Sequence, residues 1–247
     1  MIDGDISHTV FTFGWSTKSN TVHFRPDFLT EIHLHRATRN SFKAFQTNRF
    51  ALAGNSHPQY CYKINGGPNG PTQVNKYYTD QQSFCCHLGA GLADQFVHRP
   101  AQWTFGHQQE RWFESANHPE LAVKFHDGAG FNCLSYELLV MDHIGTTLTI
   151  RALANLPFLL FCRPEWWPIN AQAKETIAHL KQVGVWHDSP KSAANCLLKI
   201  SDGIISWWGD KSTRKAVSEF RRNFCGAESP SLTDAIGSFL LSSQQVP

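Results

Sequence analysis

Residues 171–210 read AQAKETIAHLKQVGVWHDSPKSAANCLLKISDGIISWWGD. Ala173, Ile177 and Leu180 fall at i, i+4 and i+7 with polar residues between them, which predicts an amphipathic helix over 171–183. Asn170 is placed to cap it, because its side-chain oxygen can accept from a free first-turn N–H. Gly184 is placed to end it in a left-handed conformation. A short apolar pair, Val185 and Trp186, leads into a polar loop that begins at His187-Asp188 and closes at Asn195. Two apolar runs follow, 196–200 and 204–208, joined by Ser201-Asp202-Gly203. Asp-Gly between two such runs predicts a β-hairpin. Gly209 and Asp210 come next.

The chain has 247 residues, enough for one large domain or two lobes around a real core. Eight Trp and eighteen Phe favour a folded chain over a disordered one. A net charge of +2 gives no reason to expect nucleic acid or a membrane as partner. Seven scattered Cys without C-x-x-C do not form a disulfide framework and point to a reducing compartment. The first fifteen residues carry acids where a signal peptide has Lys or Arg. The run 153–162 is interrupted by Asn155 and Pro157 and is too short to span a bilayer. These features predict a soluble, cytoplasmic protein.

Along the rest of the chain, 10–13, 22–24 and 28–35 have strand-like composition. His33 and His35 lack the further ligands a zinc site requires. Residues 59–65 and 72–79 are β-like and rich in Tyr. The Gly-Pro-rich segment 66–71 between them has turn chemistry, so a second hairpin is expected. Neither G-x-x-x-x-G-K-[ST] nor G-x-G-x-x-G is present. The trio Cys85-Cys86-His87 reads as structural. Residues 108–116 suggest a helix with Trp112 and Phe113 on one side. The run 136–141 is a buried-strand pattern ending in Asp142-His143, with Gly145 just beyond. Residues 148–162 are apolar and have helical character up to Pro157. Trp166 and Trp167, flanked by prolines, read as a loop tucked onto the core. Residues 212–224 and 231–241 have helical spacing, Ser231 being a plausible cap.

The order helix, His-Asp loop, Asn195, hairpin and Gly209 resembles the catalytic core of the protein-kinase-like fold, with its H-x-D-x-x-x-x-N loop and D-F-G. The phrase Ala193-Ala194-Asn195-Cys196-Leu197-Leu198 is similar to the end of a tyrosine-kinase catalytic loop. The resemblance implies an α+β, two-lobed fold: a small antiparallel β lobe over 1–143 followed by a mainly helical lobe over 144–247. It implies catalytic roles for Asp188 and Asn195. It implies cofactor-binding roles for Lys76 (or Lys63), for Glu110 (or Glu114) as the partner of that Lys, and for Met141 and His143 as the adenine-facing linker. Asn195 and Asp210 become the metal ligands.

The chain departs from the pattern in two places. Asp188 precedes Asn195 by seven residues, and Trp207, not Asp, occupies the D-F-G position. Tryptophan has no oxygen to offer magnesium. The resemblance therefore implies a degenerate, pseudokinase-like binding or regulatory module, closer to small aminoglycoside- or choline-kinase-like members than to a full protein kinase, with a protein partner possible. An active, divergent ATP-dependent phosphotransferase using ATP and magnesium is the alternative. An unrelated α+β domain is the third reading.

Overall fold

The structure is a computed structural model that describes residues 10–12, 21–26, 49–55, 57, 67–99, 124–125 and 132–243. Strands β1 (Val10–Thr12) and β2 (Thr21–His23) pair in parallel as a separate ribbon. The main sheet is built from β3 (Phe50–Ala53), β4 (Phe96–Arg99), β5 (Lys124–Phe125), β6 (Leu138–Met141), β7 (Phe158–Phe161) and β8 (Trp186–His187). Their spatial order is β5-β4-β3-β6-β7-β8, and every pairing is parallel. Counted from the first strand of the sheet, this is 3-2-1-4-5-6, the order of a doubly wound α/β sheet.

Parallel neighbours cannot be joined by a tight turn; the chain must cross over, usually through a helix. Helices α1 (Pro71–Leu88) and α2 (Ala90–Ala93) lie between β3 and β4. Helix α3 (Thr146–Leu153) joins β6 to β7, and α4 (Lys174–Gln182) joins β7 to β8. After β8 come α5 (Pro190–Ile200), α6 (Ile204–Gly209), α7 (Lys211–Phe224) and α8 (Leu232–Ser243).

Strand side chains alternate between two cores. Phe50, Leu52, Leu138, Val140, Leu159 and Phe161 face Phe84, Cys85 and Leu88 of α1 and Ala193, Ala194 and Leu197 of α5. Ala51, Ala53, Leu139, Met141, Phe158 and Leu160 face Leu148 of α3, Ile177 and Leu180 of α4, Trp208 of α6, and Val217 and Phe220 of α7. With both faces covered, the strands read as short continuous apolar runs. Complete burial of Leu180 stabilises the fold by about 1.5–3 kcal/mol.

The two-lobed antiparallel expectation is overturned. One parallel sheet takes strands from both sides of residues 143 and 144. Both expected hairpins that bear on it fail for local reasons. Residues 72–79 belong to α1, where Pro71 occupies the first turn and needs no backbone N–H. Val74, Tyr77, Tyr78, Gln81, Phe84, Cys85 and Leu88 then form its buried stripe, at spacings of three and four. Residues 196–208 are the end of α5 and all but the last residue of α6. Ser189 caps α5 by accepting from the Ser192 N–H at 3.3 Å, Pro190 follows, and Ala193, Ala194 and Leu197 are buried. Asp202-Gly203 is only the link between two helices.

The 171–183 helix is present as a 3-10 turn, Ala171–Ala173, running into α4. The Asn170 side chain accepts from the Gln172 N–H at 3.2 Å, and Gly184 follows the helix with φ of +72°. The helices expected over 212–224 and 231–241 are α7 and α8, the second started by Ser231 Oγ accepting from the Asp234 N–H.

One buried arginine sets where the central strands begin. Arg151 of α3 donates Nη1 to the Cys133 and Tyr136 carbonyls at 3.0 Å each, and Nη2 to the Pro157 carbonyl. Burial pushes its pKa down to about 9, so the guanidinium remains charged near neutrality. These bonds tie the entrance of β6 to that of β7 and so fix where their carboxyl ends emerge.

Candidate functional site

Parallel strands deliver all their carboxyl ends to one edge, and open α/β sheets bind ligands there, at the point where strand order reverses. That point lies between β3 and β6. The residues immediately after the strands are Gly54-Asn55, Asp142-His143, Cys162-Arg163 and Asp188-Ser189.

Asp142 is buried. Its Oδ2 accepts from Gln81 Nε2 of α1 at 2.6 Å, and its Oδ1 lies 2.8 Å from His143 Nδ1. Gln81 reaches it because Gly54 leaves room: a Cβ at position 54 would stand 2.9 Å from Gln81 Nε2. Tyr77, one turn earlier on α1, accepts from the Asn55 N–H at 2.7 Å. Burial, and then the charge of Asp142, raise the Tyr77 pKa well above the ordinary phenol, so it stays protonated. His98 of β4 is fully buried, and burial pushes its pKa down to about 4, keeping the imidazole neutral.

Beside this cluster a shallow groove, with a cavity volume of about 10 Å³, is lined by Tyr77, Asp80, Asp142, Phe161, Cys162, Arg163, Trp166, Asp188 and Pro190. Arg163 donates Nε and Nη2 to Asp80 Oδ2 and Oδ1 at 2.5 and 2.7 Å, a bidentate pair. The hydrogen bond to Asp80 raises the arginine pKa further above its usual value. Its third nitrogen, Nη1, is 3.5 Å from Glu165, and its guanidinium carbon is 5.4 Å from the centre of the Trp166 ring. Burial pushes the Cys162 thiol up to about 12, so it is not a thiolate nucleophile near neutrality. The loop after β3 is pinned to the loop after β7: the Gly67 N–H donates to the Trp166 carbonyl at 2.9 Å. A Cβ at Gly67 would stand 3.0 Å from the Trp167 ring.

Of the residues singled out from the sequence, Asp188, Met141 and His143 come to this one edge. Asp188 lines the groove and pairs with Lys181 at 2.7 Å. Met141 is fully buried as the last residue of β6. Lys76 is solvent-exposed on α1, and Asn195 is solvent-exposed on α5. Asp210 caps α7, accepting from the Ser212 and Thr213 N–H groups at 2.9 and 3.4 Å. Glu110, Glu114 and Lys63 lie outside the described residues, as do His33 and His35. His187 is buried; its Nε2 lies 3.0 Å from the Gly184 carbonyl and its Nδ1 2.8 Å from Ser192 Oγ. Trp207 and Trp208 donate their indole N–H groups to the Val183 and Asn155 carbonyls. Among the described residues, no three His, Cys, Asp or Glu side chains are grouped to hold a metal ion.

Gln81, Tyr77, Asp80 and Arg163 escaped the sequence reading. Asp80 and Gln81 sit in the stretch whose helical period was obscured by its tyrosines. An acidic residue directly after a buried apolar run was the signal for Asp142.

Residues 2–234 match the family described as LIC12162 family transferase. The chain belongs to that family. Two solved structures are similar to this LIC12162 family member. One is titled as the glycotransferase of kitacinnamycin, with 11% identity, a TM-score of 0.40, and 81% of this chain and 43% of that chain covered. The other is the wall teichoic acid polymerase TagF, with 9% identity, a TM-score of 0.45, and 96% and 57% covered. The chain thus spans about half the length of each. No curated protein matches the LIC12162 family member. Membership in a transferase family, on a single parallel sheet, overturns the pseudokinase reading and, with it, ATP-dependent phosphotransfer on a kinase-like fold. No helix among the described residues is long and apolar enough to cross a membrane.

Proposed function

We propose that the chain is the part of a group transferase that holds a hydroxyl-rich group at the carboxyl edge of the sheet. The observation that carries this reading is the Asp188 carboxylate, which lines the groove at the carboxyl edge of the sheet and is half exposed. Asp80, Asp142 and Asp188 line the groove; Asp80 is engaged by Arg163 and the buried Asp142 by Gln81 and His143, so Asp188, paired with Lys181 at the surface, is the carboxylate a ligand can reach. Ionised carboxylates only accept hydrogen bonds, so the ligand must bring donors. Hydroxyls bring them without a charge to desolvate. A bare phosphate brings none and meets net negative charge. The Trp166 side chain adds an apolar wall against which the carbon skeleton of such a group can lie.

The reading is tested by saturation-transfer NMR on the intact chain, with glucose and glycerol as hydroxyl-bearing probes and inorganic phosphate followed by ³¹P line width. Glucose should receive saturation, and Asp188→Asn or Trp166→Ala should weaken it. Phosphate that binds while neither polyol does would overturn the proposal.

A further inference from the structure

Resting on the hydroxyl-ligand reading of the groove, we infer that the turn 163–166 is a lid, latched shut in this structure by Arg163 on Asp80, and that the ligand enters when the latch opens. A cavity volume of about 10 Å³ takes one water at most. Pockets that hold small molecules start at about 300 Å³. A six-carbon polyol therefore does not fit the groove as it stands, and part of the lining must move to admit it.

The turn is the part free to move. Both of its flanks are fixed. The Cys162 N–H donates to the His187 carbonyl at 3.1 Å, within the sheet. Beyond the turn, Trp167 and Ile169 pack against the core that also holds α3 and α4, and Asn170 caps the 3-10 turn before α4. Between these anchors the Trp166 N–H closes the turn onto the Arg163 carbonyl at 3.1 Å, and Pro164 and Glu165 are exposed. Trp166 is buried, but in a small cluster with Val74, Tyr77 and Tyr78 of α1 that belongs to neither core of the sheet. Besides that cluster, the turn is held down by the Gly67 N–H on the Trp166 carbonyl and by the bidentate Arg163–Asp80 pair. A segment with so few buried contacts opens at less cost than the fold as a whole.

Arg163 carries a second partner with it. Glu165 lies on the same turn, and its carboxylate is 3.5 Å from Nη1. Lifting the turn exchanges Asp80 for Glu165 and strands no charge on the arginine, so the latch has two paired states. Asp80, released, is left on the groove wall as a second carboxylate that accepts from the ligand hydroxyls. The Trp166 indole, lifted with the turn, becomes the roof over the ligand.

Amide hydrogen exchange followed by ¹⁵N NMR reads the latch directly, because the Gly67 N–H is bonded to the lid itself. Asp80→Asn should speed Gly67 exchange by about 10-fold or more, while the Leu139 amide, bonded to Pro157 at the sheet, keeps its wild-type rate. Arg163→Lys, which keeps the charge and loses the two-pronged contact, should do the same. Unchanged Gly67 exchange in both variants overturns the latch. Equal speeding by Glu165→Gln overturns it too, since any charge lost from the turn would then suffice. Loss of Leu139 protection together with Gly67 in both variants overturns it as well, because Gly67 would open only with the whole fold. Glucose tests the ligand apart from the latch. Where glucose gives a saturation signal, it should also shift the Gly67 amide resonance of the wild type, and a signal without that shift overturns the lid as the way in. No glucose signal in either the wild type or Asp80→Asn overturns the groove reading, while the exchange rates still decide the latch.

Discussion

His98 offers a test of the buried switch-point cluster that needs no ligand. It lies on β4 beside Leu52 of β3, fully buried, with Nε2 3.5 Å from where a Cβ on Gly54 would stand. Burial lowers its pKa from 6.5 to about 4, with the Arg99 charge adding to the shift and the Asp142 charge opposing it. Tyr77, Asp142 and Arg99 are the titratable groups around it that bear on this shift or share the cluster. A histidine whose folded pKa is depressed binds its proton more readily when unfolded. Its contribution to stability is therefore fully present above about pH 6.5 and is lost as the pH falls toward 4.

At pH 5 the unfolded imidazole is almost wholly protonated and the folded one mostly neutral, which costs the fold about 2 kcal/mol. At pH 4 the loss is about 3 kcal/mol, and it levels off below that pH. The variant His98→Leu carries whatever packing penalty it has at every pH, but it lacks this slope. His187, also lowered by burial, is present in both proteins and cancels. Urea unfolding of both proteins, followed by Trp fluorescence at pH 7.5, 6 and 5, gives the comparison. The wild type should lose about 2 kcal/mol more than His98→Leu between pH 7.5 and 5. Parallel profiles would refute the claim that a neutral histidine is locked beside the switch point.

Ile177→Ala should destabilise the chain by about 2–4 kcal/mol in urea unfolding, because Ile177 is buried on α4 against the sheet. Asp80→Ala removes the bidentate acceptor of a partly buried arginine and should cost about 1–3 kcal/mol in the same assay. Gly54→Ala places a methyl 2.9 Å from Gln81 Nε2, so the amide must move off Asp142. Its signature is a shifted Gln81 side-chain amide resonance, from loss of the hydrogen bond to Asp142, in a protein that still unfolds cooperatively.

What the sequence made legible follows the range of the forces involved. Helix α4 was readable because cap, stripe and stop all lie within fifteen residues: Asn170, then Ala173, Ile177 and Leu180, then Gly184. Helices α7 and α8 were readable on the same terms. Helix α5 carried equally local signals in Ser189-Pro190 and the 193, 194, 197 spacing. They were outvoted by Asp202-Gly203, a turn pair that serves a hairpin only if the flanking runs alternate. The runs 196–200 and 204–208 do not alternate. In the same way Tyr77 and Tyr78 lent α1 a strand-like composition, although Pro71 and the stripe from Val74 to Leu88 define a helix of eighteen residues.

The sheet was the harder problem, since a short apolar run buried on both faces has no period of its own. Runs 138–141 and 158–161 differ little in composition from a buried helical turn, and nothing within 158–161 marks it as a strand. Parallel pairing between Leu139 and Phe158, or between Ala51 and Leu139, is a long-range fact that no local window contains. The site inherits that limit. Asp142 and Gln81 are sixty-one positions apart, and only the crossover from β3 through α1 places the amide over the end of β6. Yet one half of the pair could be placed by chemistry alone. A carboxylate directly after four fully buried strand residues must be paired or change its charge. A histidine next to it offers one partner, and a polar residue buried on the covering helix offers the other. Read this way, Asp142-His143 marks the carboxyl edge of the sheet, and the search for its missing donor leads to the one amide on the buried stripe of α1.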